Sequence, residues 1–247
     1  MKNETLRMGL LGYPVAHSKS PELFRTFATG ADIMLCYELY ERAGLTDLRH
    51  ELERLFEEND LDGLNVTSPY KEDVAHVMDR LSPRAQGVDA VNLVRYTSSG
   101  FFGDNTDLVG CTAMLAEFAP TKDAPFVVLG AGGAARVVLK TLQEMKREVY
   151  VVNRTETKGR SVAGRYGATY LSYDELVTLR KEIYLFSALP PSAALPALPT
   201  SGVLQSYDVA YIDSPLKRWA HSQHIPYQDG YRWLYAQAEE NFHLLVE

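Results

Sequence analysis

The stretch Val127-Val128-Leu129-Gly130-Ala131-Gly132-Gly133-Ala134-Ala135-Arg136 joins an apolar run to a glycine-rich turn and then to a helical pattern. The apolar residues before Gly130 predict a buried strand, and the spacing of apolar residues from Ala134 to Met145 predicts a helix. A strand that passes through a short turn into a helix is the repeating unit of α/β proteins. This stretch therefore predicts an α/β fold for the chain.

The turn itself has the form G-x-G-x-x-A. In such a turn, Gly130 permits the tight bend, Gly132 lets the backbone approach a pyrophosphate, and the small Ala135 lets helix and strand pack closely. The phosphates would lie at the positive N-terminus of the helix. A plain strand-to-helix turn is the alternative, since the glycine pattern alone is weak evidence. The expected dinucleotide contacts are Gly130, Ala131, Gly132, Gly133 and Ala134.

A second apolar run, Val149-Tyr150-Val151-Val152, ends at Asn153-Arg154-Thr155. Sites for NAD place an Asp or Glu here, roughly 20 residues after the first glycine, whereas an Arg accommodates the 2′-phosphate of NADP. No carboxylate stands at this strand end. The pattern favours NADP, against the alternative that Arg154 is only a solvated charge. The residues expected around the ribose phosphate are Asn153, Arg154, Thr155 and Lys158.

Length and composition restrict the class of protein. With 247 residues, of which 46% are hydrophobic, the chain is long enough for a large core in one or two domains. Its formal net charge of −7 argues against nucleic-acid binding, because a phosphate backbone attracts a basic surface. No apolar run has the length of a membrane span, and the N-terminus has no signal-peptide pattern. We expect a cytoplasmic protein without nucleic-acid or membrane partners.

Metal-binding patterns are weak in this chain. Cys36 and Cys111 stand far apart and form no C-x-x-C pair, so neither a disulfide framework nor a zinc site is indicated. His221 and His224 are three residues apart, but no third ligand has a suitable spacing. We expect no bound metal.

Predicted strands alternate with predicted helices along the whole chain, which is typical of parallel sheets covered by helices on both faces. A helix over residues 108–118 is predicted to connect two α/β domains. We expect a ligand cleft between the domains, and the cofactor at the carboxyl ends of the second domain's strands.

Two loops in the first half lead into predicted helices. Ser20 is predicted as a helix N-cap, with Pro21 at the first helical position. The hydroxyls of Ser18 and Ser20, with the free N–H groups of the helix start, suit a carboxylate, although Ser20 as a plain cap is the alternative. Pro69 stands at a similar point, before a helix predicted to run from Tyr70 to about Leu81.

Polar side chains of the first half collect at predicted strand ends and helix starts, where parallel-sheet domains bind ligands. They are Ser18, Ser20, Asn65, Thr67, Lys71, Asn92 and Asp107. Their segments, in order, are G-Y-P-V-A-H-S-K-S-P at 12–21, G-L-N-V-T-S-P-Y-K at 63–71, D-A-V-N at 89–92 and G-D-N-T-D at 103–107, followed by G-A-G-G-A-A-R at 130–136 and N-R-T at 153–155. This series resembles the shikimate dehydrogenase family over the first two-thirds of the chain, and the resemblance resumes at 236–238.

The resemblance implies an NADP-dependent enzyme that reversibly reduces 3-dehydroshikimate to shikimate, a step of chorismate and aromatic amino-acid biosynthesis. It implies a substrate-binding domain of residues 1–107 plus 230–247, and an NADP-binding Rossmann domain of residues 108–229. The last helix would thus return to the substrate domain. The expected ligands are NADP and a small substrate, and the chain is expected to be a monomer or a homodimer.

By motif, the resemblance implies that Lys71 and Asp107 form the catalytic pair. Carbonyl reduction needs a proton as hydride arrives; a lysine can deliver it, and an aspartate can orient the ammonium. A surface lysine and a helix-capping aspartate are the alternative. Ser18 and Ser20 are assigned to the substrate carboxylate. Ring contacts are assigned to Thr67, Asn92, Tyr211 and Gln237, and a cofactor contact to Gly230.

The last third of the chain departs from the family pattern. An N-A-T stretch of the family is replaced by residues 186–191, F-S-A-L-P-P, and the run after Tyr211 is shorter than usual. Arg232 and Trp233 replace a glycine and a methionine, and Asp89 replaces another glycine. Arg232 is expected either to pair with a phosphate or to face water. These changes leave two alternatives open: a dehydrogenase of quinate or a related acid that uses NAD, or a non-catalytic ligand-binding member of the fold.

Overall fold

The structure, a computed structural model, describes residues 5–246, which form two compact units. The first unit contains the described residues up to Asp107 together with those from Tyr235 onward. The second unit is Leu108–Leu234. No helix in the described part of the chain is both long and apolar enough to cross a membrane.

The first unit contains a six-stranded sheet with the strand order β2-β1-β3-β5-β6-β4. Its elements are β1 (Thr5–Gly12), α1 (Ser20–Gly30), β2 (Met34–Glu41), α2 (Leu48–Asn59), β3 (Gly63–Val66), α3 (Lys71–Ala75), β4 (Arg80–Leu81), α4 (Pro83–Val88), β5 (Leu93–Thr97) and β6 (Gly100–Asp104). Strands β2, β1 and β3 pair in parallel, whereas β5 pairs antiparallel with both β3 and β6.

The antiparallel strand β5 decides where polar residues collect. Leu93, its first residue, pairs with Asn65 in β3 and with Asp104 in β6. The start of β5 therefore lies at the same sheet edge as the ends of β3 and β6. Because β1 and β3 are parallel, the loop after β1 also leaves the sheet there. We call this edge the carboxyl edge of the first sheet.

The helix predicted over residues 70–81 is wrong beyond its first turn. Helix α3 ends at Ala75, and Arg80 begins the short strand β4. Backbone N–H groups of Asp79 and Ser82 donate to carbonyls of Phe101 and Gly103, at 3.0 and 2.9 Å. The segment thus gains sheet hydrogen bonds with β6.

The second unit contains a fully parallel six-stranded sheet with the order β12-β11-β10-β7-β8-β9. The remaining elements of the chain are α5 (Asp107–Glu117), β7 (Phe126–Leu129), α6 (Gly133–Glu144), β8 (Val149–Val152), α7 (Glu156–Arg165), β9 (Thr169–Leu171), α8 (Tyr173–Thr178), β10 (Ile183–Ser187), β11 (Val203–Asp208), α9 (Pro215–Ser222), β12 (Tyr227–Gln228) and α10 (Tyr231–Val246). This is the doubly wound order of dinucleotide-binding domains, with its switch point between β7 and β10. The predicted two-domain α/β fold is confirmed.

The last helix belongs to the first unit from Tyr235 onward. Phe242 packs against Phe24 and Phe27 of α1, with ring centroids 6.2 and 5.8 Å apart. A Cβ at Gly63 would lie 2.6 Å from the end of the Leu245 side chain, so the helix packs closely on β3 at this glycine. These contacts hold the C-terminal half of α10 on the first sheet.

Candidate active site

Lys71 and Asp107 form an ion pair at the carboxyl edge of the first sheet. Lys71 is the first residue of α3 and Asp107 the first residue of α5. The Lys71 Nζ donates to Asp107 Oδ2 at 2.6 Å. The lysine side chain is 20% exposed and the aspartate side chain 7%. An ammonium that still reaches the surface is thus oriented by a carboxylate that does not.

Backbone contacts fix both members of this pair to one segment. The carbonyl of Lys71 accepts from the N–H of Val91 at 2.8 Å. The N–H of Asp107 donates to Asn105 Oδ1 at 3.1 Å, and Asn105 Nδ2 donates to the carbonyl of Ala90 at 2.9 Å. Residues 90 and 91, just before β5, therefore hold the two helix starts in register.

Asn92 and Gln237 are brought together although they are far apart in the chain. Asn92 Nδ2 donates to Gln237 Oε1 at 3.2 Å, and Asn92 Oδ1 accepts from the N–H of Thr106 at 2.8 Å. The Thr106 hydroxyl reaches Asn241 Oδ1 at 2.8 Å, and Asn241 Nδ2 donates to Gln237 at 3.3 Å. Sequence analysis did not single out Thr106 or Asn241. The G-D-N-T-D motif contained a signal for Thr106, whereas Asn241 had none beyond its position one turn after Gln237.

Ser18 and Ser20 also lie together. The Ser18 hydroxyl donates to Ser20 Oγ at 3.2 Å, and its oxygen accepts from the N–H of Ser20 at 3.2 Å. The prediction of Ser20 as N-cap is wrong: Ser20 is the first helical residue, and Lys19 is the N-cap. The Ser20 oxygen accepts from the Ser18 hydroxyl instead of from a backbone N–H of the first turn, and no side chain caps this helix start. Glu41 Oε2 accepts from the N–H groups of residues 15 and 16 and holds this loop.

Tyr37, a half-buried residue of β2, adds a hydroxyl that sequence analysis missed. Its hydroxyl donates to Asn65 Oδ1 at 2.9 Å, and Asn65 Nδ2 donates to the carbonyl of Asn92 at 3.4 Å. Burial raises the pKa of the Tyr37 phenol, and a hydrogen bond with Ser20 opposes the rise. Polar contacts therefore run without a break from Ser20 to Asn92. The pattern of residue types along β2 does not indicate that Tyr37 contacts polar side chains of the site.

Thr67 follows β3 at the same edge. Its N–H donates to the carbonyl of Leu11 at 2.9 Å, and its methyl group occupies the space that a Cβ at Gly12 would need, 2.3 Å away. The loops after β1 and β3 are further joined by the N–H of Tyr13, which donates to the carbonyl of Ser68 at 3.0 Å. The half-buried Thr67 thus lies where these loops meet.

A cluster of charged side chains lies at the end of β6, next to the carboxyl edge of the first sheet. Arg84 pairs with Asp104 Oδ2 at 2.7 Å and with Glu240 Oε1 at 2.6 Å, and Ser82 also donates to Asp104. Burial opposes ionisation of Asp104, yet the hydrogen bonds from Arg84 and Ser82 hold the pKa of this carboxyl below its usual range. The cluster ties α10 to the strand that ends just before Asp107.

In the second unit, the glycine-rich turn has the geometry that a pyrophosphate requires. Gly130 adopts φ +113°, and a Cβ there would lie 3.2 Å from the carbonyl oxygen of Ala188. Gly132 is the N-cap of α6, and no side-chain hydrogen bond caps this helix start. Ala135 is fully buried against the sheet. No capping side chain therefore competes with a bound phosphate for the N–H groups of the first helical turn.

The end of β8 presents cationic side chains. Asn153 Nδ2 donates to the carbonyl of Thr155 at 2.9 Å and closes the turn. Arg154 and Lys158 are exposed. The nearby Glu156 pairs with Arg160 at 2.7 Å. The turn therefore suits a phosphate monoester better than a bare ribose hydroxyl.

A buried carboxylate lies at the end of β11, beneath the turn that contains Tyr211. Asp208 accepts from the N–H of Ala210 at 3.0 Å and from the Ser214 hydroxyl at 2.6 Å. Burial raises the pKa of Asp208 to about 6. A Cβ at Gly230 would lie 2.1 Å from the carbonyl oxygen of residue 209, so the turn and Gly230 are in direct backbone contact. Sequence analysis did not single out Asp208 or Ser214.

The departures from the family pattern have local structural reasons. Arg232 Nε lies 2.8 Å from Glu117 Oε2, so the arginine forms an ion pair within the second unit. Trp233 is buried; a Cβ at Gly110 would lie 2.6 Å from it. Asp89 adopts φ +52°, a left-handed conformation that explains why a glycine suits this position. No cluster of metal-ligating side chains occurs among the described residues, including around His221.

Comparisons with known proteins agree with these features. The family model described as shikimate dehydrogenase substrate binding domain matches residues 10–94, and the model described as shikimate / quinate 5-dehydrogenase matches residues 113–191. Shikimate dehydrogenase (NADP(+)) of Aeromonas salmonicida is 35% identical, with 94% of this chain and 89% of that protein covered. The same-named protein of Hydrogenovibrio crunogenus is 34% identical, with 95% and 90% covered.

Solved structures give the same result. Shikimate 5-dehydrogenase of Thermus thermophilus in complex with NADP(H) and shikimate superposes with a TM-score of 0.82 and 31% identity, over 98% of this chain and 93% of that chain. The protein of Thermotoga maritima superposes with a TM-score of 0.82 and 30% identity, over 98% and 94%. The chain belongs to the shikimate dehydrogenase family.

Proposed function

We propose that this protein is an NADP-dependent shikimate dehydrogenase, which reversibly reduces 3-dehydroshikimate to shikimate in chorismate and aromatic amino-acid biosynthesis. The observation that favours catalysis over binding alone is the ion pair of Lys71 and Asp107 at a ligand-binding sheet edge. An ammonium held by a buried carboxylate is suited to deliver a proton to a carbonyl oxygen. Membership of the family supports the choice of substrate.

The first unit binds the substrate and the second binds NADP. Carboxylate recognition falls to Ser18 and Ser20, because two adjacent hydroxyls at a helix start supply donors where the helix dipole favours an anion. The ring contacts fall to Thr67, Asn92, Tyr211 and Gln237. Side-chain amides suit ring hydroxyls because each amide can both donate and accept.

Lys71 delivers a proton to the substrate carbonyl oxygen and stabilises the negative charge that develops there. Bound NADPH supplies the hydride that adds to the carbonyl carbon. In the reverse direction, the neutral lysine takes the proton from the hydroxyl of shikimate. Asp107 keeps the amine directed, and its burial limits competition from water. Proton transfer by a positioned side chain contributes about 10²–10⁴-fold to the rate.

The residues of the second unit suit NADP. The turn from Gly130 to Ala134 supplies backbone N–H groups for the pyrophosphate, and Gly230 keeps the neighbouring turn close. Arg154 and Lys158, supported by the turn of Asn153 and Thr155, provide charges for the 2′-phosphate. These positions favour NADP over NAD.

A steady-state assay tests the proposal. Purified protein is mixed with shikimate or quinate and with NADP⁺ or NAD⁺, and the reduced nicotinamide is followed by absorbance. We expect the highest kcat/KM for shikimate with NADP⁺. Absence of turnover with every combination would contradict the proposal, and a preference for quinate or NAD⁺ would identify the related dehydrogenase instead.

A further inference from the structure

A single phenol hydroxyl connects two polar groups at the carboxyl edge of the first sheet. Tyr37 lies in the edge strand β2, and its ring packs on Phe24 with centroids 5.1 Å apart. Its hydroxyl donates to Asn65 Oδ1 at 2.9 Å and lies near the side chain of Ser20. Tyr37 therefore contacts one side chain from the helix after β1 and one from β3.

The number of hydrogens sets the direction of these bonds. A phenol has one hydrogen. Since Tyr37 gives it to Asn65 Oδ1, the phenol oxygen can only accept from other groups. The oxygen of the Asn65 amide is therefore occupied by the phenol.

The orientation of the Asn65 amide follows from this direction. Its oxygen is occupied by the phenol, so its nitrogen is turned towards residue 92, whose carbonyl accepts at 3.4 Å. An amide nitrogen has two hydrogens, and this bond uses only one of them. The second is not used by this bond. Without Tyr37, only the 3.4 Å bond to the carbonyl of residue 92 would distinguish the two ends of the buried amide.

We propose that Tyr37 is a positioning residue for substrate recognition: it keeps Asn65 turned as a donor towards a ligand oxygen. The inference rests on the proposed function for the identity of the ligand, a hydroxylated cyclic carboxylate. Tyr37 acts through Asn65, not by contact with the reacting atoms.

The test is Tyr37→Phe, which removes only the hydroxyl. Loss of one hydrogen bond that aligns a donor predicts a rise of about 5- to 10-fold in KM and Kd for shikimate, with kcat within about twofold and KM for NADP⁺ unchanged. Tyr40→Phe is the matched control: Tyr40 lies on the same strand, is buried, and its hydroxyl makes no hydrogen bond in the described structure. It is expected to leave all constants unchanged.

A double variant separates positioning from general loosening. If Tyr37 acts through the amide, Tyr37→Phe in an Asn65→Ala background weakens shikimate binding little further. Equal effects in the two backgrounds, with melting temperatures unchanged, would overturn the proposal.

A ligand-free measurement keeps the inference distinct from the proposed function. In the ¹⁵N–¹H spectrum, the side-chain amide signals of Asn65 should move in Tyr37→Phe and not in Tyr40→Phe. Unchanged signals would overturn the positioning role even in an active enzyme. Moved signals in a protein that neither binds nor turns over shikimate would support it and reject the proposed function alone.

Discussion

The ammonium of Lys71 and the carboxylate of Asp107 lie 2.6 Å apart, each on the first residue of its helix. Neither helix start is fixed by its own sequence neighbours alone. Both are held by the segment before β5, through the backbone of residue 91 and through Asn105. The pair therefore depends on the antiparallel strand of the first sheet as much as on the two residues themselves.

Replacement of the lysine tests its role as proton donor. Lys71→Ala should lower kcat by about 10²–10⁴-fold and change KM for shikimate much less, because the proton is needed mainly in the transition state. Steady-state kinetics in both directions measure this. Lys122→Ala is the control, since Lys122 is an exposed lysine paired with Glu182 in the second unit. A loss that appears mainly in KM would assign Lys71 to substrate binding.

Cofactor preference should depend on Arg154. Arg154→Ala removes a charge assigned to the 2′-phosphate, so KM for NADP⁺ should rise by about 10-fold or more while KM for NAD⁺ stays constant. Arg160→Ala is a matched control, because Arg160 is exposed and nearby but is paired with Glu156. Equal changes for both nucleotides would remove Arg154 from phosphate recognition.

Asp208 should give the stability of the protein a distinctive pH dependence. Its pKa of about 6 in the folded state exceeds the ordinary value of about 3.9, so between pH 4 and 6 the folded state binds more protons than the unfolded state. Its contribution to the free energy of unfolding therefore falls as pH rises through this window, by about 3 kcal/mol in total.

Asp208→Asn should abolish that contribution. Urea unfolding at pH 4, 5, 6 and 7 should show the variant gaining stability relative to the wild type as pH rises. Asp213→Asn serves as control, because Asp213 lies in the same turn but is exposed and paired with Arg218. Parallel pH profiles for wild type and Asp208→Asn would contradict the prediction.

The Arg84 cluster should matter more for stability than exposed ion pairs. Arg84→Gln leaves the buried Asp104 without its main cation, so the free energy of unfolding should fall by about 2–4 kcal/mol at neutral pH. Arg218→Gln, at an exposed pair, should lower the free energy of unfolding by only about 0–1 kcal/mol. A similar loss in both variants would reject this ranking.

Because the pKa of Asp104 is lowered, the stability that this carboxylate contributes is present at neutral pH and should disappear as pH falls below about 4.

The second unit was largely predictable because its information is local. Strands β7 and β8 are apolar runs, each followed by a turn and a helical pattern, and β10 is also an apolar run. Gly130, with its positive φ, marks the backbone conformation that the glycine-rich turn requires. The first unit was less predictable, since β6 is a short strand that contains two glycines, and its partner β4 was expected to be helical. There, pairing with distant strands outweighed the local pattern.

The same contrast holds for the site. Lys71, Asn92 and Ser18 lie in motifs and were expected as ligand contacts. Tyr37 and Asp208 act through tertiary hydrogen bonds, which residue spacing does not reveal. Arg232 could be assigned neither to a phosphate nor to water from its position, because its partner, Glu117, lies on a different helix.

The discontinuity of the first unit bears on the order in which the protein folds during synthesis. The second unit is one continuous segment, Leu108–Leu234, whereas the first needs residues from Tyr235 onward. Multidomain chains generally fold from the N-terminus as they leave the ribosome. Here the earlier-made unit cannot acquire Glu240, the partner of Arg84, until the whole second unit has been translated. During synthesis, the first sheet therefore lacks the packing of the C-terminal half of α10 until after the second unit has been made.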